Sequence, residues 1–284
     1  MDQAAIYDLI DLDRYPLDNL SSQDGCQLIE TIRESLNKNG SCSLAGFVRE
    51  AVIKQMAAEA ETLQQLAYAG PTEVSPYFFN YDLGKGNEIA EDHPLKRKGK
   101  RNLLQVATDL IPENHLLSRL YYSPVIADFL SEVLQQPVYR NQDKYQSLNI
   151  SMMNSGGCQQ WHFDSGPMVT TLLLQAPEAG GVFEYVPELR SDENENFDEV
   201  RKILDGDLSR ARQIILEAGT FSLFRGHYSM HHVTEVQGDK TRIQAILGFS
   251  TTPDLHGNLE SSILHYGPRV AEIEARSPLY PIES

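Results

Sequence analysis

The chain is 284 residues long and sets 24 lysines and arginines against 40 aspartates and glutamates, a net charge of −16. A surface that acidic repels phosphate polymers, which argues against nucleic-acid binding and against docking on an anionic membrane. Hydrophobic residues make up 41% and charged residues 23%, ordinary proportions for a folded chain long enough to bury a core.

Three cysteines, Cys26, Cys42 and Cys158, are widely spaced without a CxxC pair. Neither a disulfide framework nor a thiolate zinc site fits them. The amino end, MDQAAIYDLIDLDRYPLD, is acidic where a signal peptide is basic and then apolar. No apolar run approaches the roughly 18 residues that span a bilayer. The expectation is a reduced, cytoplasmic protein.

In chain order, residues 24–38 place Leu28, Ile29, Ile32 and Leu36 at helical spacing, with Asn39-Gly40 as the stop. SCSLAGFV reads as a strand, and residues 49–70 as a second helix closed by Gly70. Residues 71–102 are mixed: an aromatic run (Tyr77, Phe78, Phe79, Tyr81), the glycines Gly84 and Gly86, and a basic patch, KRKGKR, ending at Arg101. Residues 115–135 again have helical spacing. From Pro137 the chain becomes short strand-like runs separated by Gly, Pro, Asn or Asp. Residues 192–217 interrupt them, with Val200, Ile203, Leu204, Ile214 and Ile215 set to form one helical stripe. Helices followed by about eight short strands argue for an α+β fold in which the helices pack on an antiparallel sandwich or barrel. Without a linker, 1–284 reads as one domain: helical support over 1–135, a sheet core over 136–253 with the helical insertion 192–217 at its mouth, and a C-terminal extension over 254–284.

The chemistry concentrates in Trp161-His162-Phe163-Asp164. In a strand, alternate residues share a face about 7 Å apart, so His162 and Asp164 can converge on one ion. Two histidines and one carboxylate on one face of an octahedron form the arrangement for non-haem Fe(II), with positions left open for co-substrate and O2. A third ligand has candidates in Gly226-His227-Tyr228-Ser229-Met230-His231-His232-Val233-Thr234. Downstream, Arg242 enters the apolar strand TRIQAILGFS. A buried guanidinium there needs an anion, and a dicarboxylate co-substrate beside the iron supplies one.

This HxD, distal His and Arg pattern resembles the Fe(II)/2-oxoglutarate-dependent oxygenases. SLNISMMNSGGCQQWHFDSG, LLLQAPEAGGVFEYVPELR and GTFSLFRGHYSMHHVTEVQGDKTRI bring it closer to the group of free-amino-acid halogenases and their hydroxylase relatives. The similarity runs from about Asp92 to Pro253. It implies a double-stranded β-helix, or jelly roll, with helices on one side. It also implies His162, Asp164 and His231 as metal ligands, His231 because His231-His232-Val233-Thr234 reproduces the family's H-x-V-T setting. His232 then faces away, and His227 is the weaker candidate. Arg242 would bind the C5 carboxylate of 2-oxoglutarate, with Gln244 where the superfamily often has serine, and Asn149, on one strand face with Ser151 and Met153, at the pocket wall.

Halogenases of this group carry a small residue at the position of Asp164, which opens an iron site to chloride. The carboxylate therefore implies hydroxylation, with Fe(II), 2-oxoglutarate and O2 as cofactors. The implied substrate is a small free amino acid or related polar amine, its carboxylate met by Arg97 or Arg101 from the basic patch and Glu184 reaching the pocket from behind Gly180-Gly181. Oxidative cyclisation or desaturation uses the same cofactors. The alternative of another class is a non-oxidative cupin-like metal binder, which would have no use for Arg242.

Overall fold

In a computed structural model, the structure describes residues 6–79, 83 and 88–276. The strands among the described residues are β1 (Ser41–Leu44), β2 (Glu73–Val74), β3 (Gly99–Asn102), β4 (Leu104–Val106), β5 (Tyr139–Arg140), β6 (Leu148–Met153), β7 (Cys158–His162), β8 (Val169–Gln175), β9 (Ala179–Gly180), β10 (Phe183–Val186), β11 (Arg212–Ile214), β12 (Phe221–Phe224), β13 (Met230–Val233), β14 (Val236–Gln237), β15 (Arg242–Leu247) and β16 (Phe249–Ser250). Two six-stranded antiparallel sheets, β1-β12-β8-β15-β6-β4 and β11-β10-β13-β7-β3-β2, make the jelly roll. The helices among the described residues are α1 (Gln23–Asn39), α2 (Glu50–Glu61), α3 (Leu116–Tyr122), α4 (Pro124–Leu134), α5 (Phe197–Leu204), α6 (Leu259–Tyr266) and α7 (Arg269–Arg276).

Period-two patterning in the first sheet separates core from cavity. On β6, Leu148, Ile150 and Met152 join the core beneath the helices, while Asn149, Ser151 and Met153 line a cavity. On β15, Ile243, Ala245 and Leu247 face the helices, and Arg242, Gln244 and Ile246 face the cavity. One face is hydrocarbon because α1 to α4 cover it; the other carries Arg, Asn, Gln, Ser and Thr because it surrounds polar contents. Met152 is buried in the core, and Met153 is buried at the cavity wall.

The helices are cut to length by local chemistry. α1 starts where the Ser22 hydroxyl accepts from the Gly25 amide at 3.1 Å and stops at Gly40, whose φ of 68° is left-handed. The expected second helix is shorter: it ends at Glu61, a 3-10 turn spans Gln64–Leu66, and Tyr68 pairs with Gln105. The expected helix over 115–135 is two helices. Pro124 has no amide hydrogen and forces Ser123 out of helical geometry, so α3 ends and α4 begins there.

The reading of 192–217 as one helix is corrected. Only α5 is helical; Gly206 turns the chain at φ 97°, and β11 then pairs with β10 at the sheet edge. Val200 and Ile203 pack against a cluster containing Tyr77, Phe163 and Val186, whereas Ile215 is 83% exposed, so no single apolar stripe forms. The cavity mouth is lined by Ile214 and Leu216 rather than by α5. Of the aromatic run, Tyr77 to Phe79 are described; Tyr81, Gly84 and Gly86 lie outside the described residues. The extension beyond 254 folds into α6 and α7, capped at Asn258, and closes one end of the cavity. No described helix is long and apolar enough to cross a membrane.

Candidate metal centre

His162 and His231 form a cross-strand pair on β7 and β13. Asp164 follows two residues after His162 and is fixed by its amide, which donates to the Gly226 carbonyl at 3.1 Å. The three side chains offer ligand atoms all within 4.8 Å of one another. Asp164 Oδ2 lies 3.3 Å from His231 Nε2, and Oδ1 lies 3.9 Å from His162 Nε2. Gly226 makes room for this carboxylate: a Cβ there would stand 1.9 Å from Asp164 Oδ2.

Backbone carbonyls set both tautomers. His162 Nδ1 donates to Gln160 O at 2.7 Å and His231 Nδ1 to Ser229 O at 2.9 Å, so both rings present Nε2 lone pairs toward Asp164. Burial, with His231 alongside, pushes His162 down to about 3, which keeps it a neutral donor. For Asp164 burial alone would raise the pKa, but His231, His162 and Arg190 hold it below the usual range. Two imidazoles and one carboxylate suit an Fe(II) ion.

Arg242, 4% exposed, completes the chemistry. Its guanidinium donates to Gly181 O at 3.2 Å and to Gln244 Oε1, with no carboxylate partner among the described residues. Gly181 at φ 58° permits the approach, because a Cβ would sit 3.0 Å from Arg242 Cδ. Burial pulls the guanidinium down to about 10, still a cation at neutral pH. On the same cavity face, opposite Ile246 toward the other end of β15, buried Asn149 keeps Oδ1 without a partner. A buried cation without a carboxylate partner among the described residues, in a cavity of about 770 Å³ that also holds the triad, fits a dicarboxylate co-substrate.

The remaining expected site residues fall elsewhere. Arg97 pairs with Asp205 at 2.5 Å and donates to Leu204 O. Arg101, 1% exposed, donates to Ala69 O, Pro71 O and Gln105 Oε1; Gln105 lines the cavity and neither arginine does. Glu184 stands opposite His232 in register and accepts from Gln213 while pairing with His232. His232 is stacked on Trp161 with centroids 4.0 Å apart, off the cavity. His227 donates from neither ring nitrogen to the triad; its Nδ1 lies 3.2 Å from Ser165 O.

Strict alternation also misses Gln159. The register between β13 and β7 shifts from His231 with His162 to Val233 with Gln159. That bulge turns Gln159 onto the cavity face, where its Nε2 lies 3.1 Å from His162 Nε2. A turn-rich sequence carries little signal for it.

A jelly roll whose facing strands assemble two histidines and an aspartate, with a buried arginine on the same cavity, defines a 2-oxoglutarate-dependent non-haem iron oxygenase, a class that works with Fe(II), 2-oxoglutarate and O2. A family model described as Halogenase D matches residues 83–265, and the chain belongs to that family. Solved structures with the same fold include the epimerase SnoN in complex with Fe3+, alpha-ketoglutarate and nogalamycin RO (14% identity, 79% of this chain and 84% of that chain, TM-score 0.54). HygX from Streptomyces hygroscopicus, with nickel and 2-oxoglutarate bound, is similar at 12% identity over 78% of this chain and 87% of that chain (TM-score 0.53). A prolyl hydroxylase from Trichoplax adhaerens in complex with a hypoxia inducible factor peptide is similar at 12% identity over 81% of this chain and 95% of that chain (TM-score 0.50). At these identities the likeness is one of fold. No curated protein matches the chain significantly.

Proposed function

We propose that this protein hydroxylates a small polar amine, with free amino acids as the first class to try, and that it does not halogenate. The observation that carries the reading is Asp164, a carboxylate within 3.3 Å of one triad histidine and 3.9 Å of the other, in a chain of a family described as halogenase. An aspartate there fills the coordination position that a halide would need.

When bound, iron couples the decarboxylation of 2-oxoglutarate to O2 activation and supplies an oxidant able to attack a C–H bond. The protein's part is placement. His162 and His231 would hold the metal through Nε2, and Asp164 would complete the face. Arg242 would fork onto the far carboxylate of the co-substrate, its guanidinium oriented by Gln244, and Asn149 would offer its amide at the same wall. Phe79 and Phe183, ring neighbours of His162 and His231 at 5.7 and 5.5 Å, keep water from the ligands.

The test is the product of protein supplied with Fe(II), 2-oxoglutarate, O2, chloride and a panel of free amino acids. The reading expects substrate-dependent succinate and a product heavier by one oxygen atom. A chlorinated product would overturn it, and loss of two hydrogens without oxygen gain would place the outcome in cyclisation or desaturation.

A further inference from the structure

One residue that lines the cavity carries a polar atom with no role in the site described so far. His265, in α6, is 4% exposed and lines the cavity. Its Nδ1 donates to the Ser261 carbonyl of its own helix at 2.7 Å. The proton is thereby placed on Nδ1, and Nε2 is left as a lone-pair acceptor. That Nε2 is buried and has no hydrogen-bond partner. An unpaired buried acceptor costs about 1–3 kcal/mol, so a resident group that satisfies it is favoured.

The ring's setting ties it to the metal centre. His265 stacks on Phe79 with planes 7° apart and centroids 5.2 Å apart, and the Phe79 centroid lies 5.7 Å from that of His162. The His265 ring therefore stands one aromatic ring away from a candidate metal ligand. Burial pulls His265 down to about 4, so it is neutral in ordinary buffer. Apart from histidines, the charged residues lining the cavity among the described ones are Asp164 and Arg242, which the metal and the co-substrate engage. A neutral imidazole nitrogen can take an N–H or an O–H, and it offers nothing to a carboxylate.

We propose that His265 is a recognition residue whose Nε2 accepts a hydrogen bond from a donor group of the substrate, an amino N–H or a hydroxyl O–H. The proposal rests on the oxygenase reading above and names part of its substrate chemistry.

The experiment titrates free amino acids and their 2-hydroxy-acid counterparts into the full chain loaded anaerobically with Fe(II) and 2-oxoglutarate, and reads Kd by calorimetry. Loading is checked first by the weak visible charge-transfer band. At least one probe should bind the wild-type protein, and the arm in which it binds tells N–H from O–H. His265→Phe keeps an aromatic ring on Phe79 and removes the acceptor; it should keep the band and weaken that probe about tenfold. His265→Gln, which restores a carbonyl oxygen, should recover most of the loss. If Phe unsettles the cap and the band is lost, His265→Met makes the same comparison. Unchanged Kd in the acceptor-free variant overturns the proposal, as does a wild-type protein that shows the band yet binds no probe in either arm. A wild-type protein without the band removes the oxygenase reading itself, and the proposal with it.

Discussion

Arg242 donates to the carboxamide oxygen of Gln244, two residues along β15, inside a wall where the described residues offer the guanidinium no carboxylate. Gln244 stands opposite Ser151, and Arg242 opposite Met153, so the pair is held by sheet register rather than by loop packing. A cation oriented but not neutralised is prepared for an anion that arrives from outside. Replacing Arg242 by Met should weaken 2-oxoglutarate about 100-fold or more. Lysine should recover only part of that, because it lacks the fork. Anaerobic titration of the charge-transfer band reads both, and equal affinity in Arg242→Met would contradict the role.

Gly226 is required by the geometry of Asp164, since a Cβ at that position would meet Oδ2 at 1.9 Å. Gly226→Ala should push the carboxylate off the triad and lower Fe(II) retention by about tenfold or more, the scale of a disturbed ligand shell. Metal content after gel filtration tests this, alongside a melting temperature that shows the fold is intact. Unchanged metal content would mean that the aspartate does not bind through this oxygen.

Buried neutral histidines make the metal-free fold sensitive to acid. His265 falls to about 4 and His162 to about 3, both through burial first. Between those values and 6.5 the unfolded chain binds protons that the folded chain refuses, so stability is fully present above the unfolded value and is lost as pH falls through this window. The slope reaches about 1.4 kcal/mol per pH unit for each such histidine. Urea unfolding at pH 7 and pH 5 should show the loss, and His265→Phe should show a shallower slope. The same slope in the variant would contradict the neutral, buried assignment.

How much of this was legible beforehand follows from parity and distance along the chain. His162, His231 and Arg242 declare themselves because each places a chemically costly side chain at a strand position, with Asp164 just past the end of β7, and the structure brings the three candidate ligands within 4.8 Å of one another. Glu184 was misjudged because cavity-facing and outward positions differ by one residue; its register opposite His232 is not written in the residues near it. Arg97 and Arg101 mark charge without marking direction: the first is taken by Asp205 and the second by backbone carbonyls. His265 was out of reach because α6 follows the last strand and turns back to line a cavity built by the strands from β6 to β15, and an isolated helix carries no sign of that contact.

The helices and the jelly roll share one core, which predicts a single cooperative unit. Phe47 is fully buried, with ring centroids 4.8 Å from Phe221 on β12 and 6.4 Å from Phe129 on α4. Phe47→Ala should cost about 3–5 kcal/mol and lower one melting transition for the whole chain. Two separated transitions, with only the helices affected, would show instead that the amino-terminal part folds independently.

The central claim is that His162, Asp164, His231 and Arg242 together hold Fe(II) and 2-oxoglutarate in one cavity. Its most direct measurement is an anaerobic titration of metal-free protein with Fe(II) and then 2-oxoglutarate, followed in the visible region. The account predicts a weak charge-transfer band that needs both additions, saturates at one equivalent of each, and disappears in His162→Ala. No band in the wild-type protein, or a band that persists in His162→Ala, would contradict it.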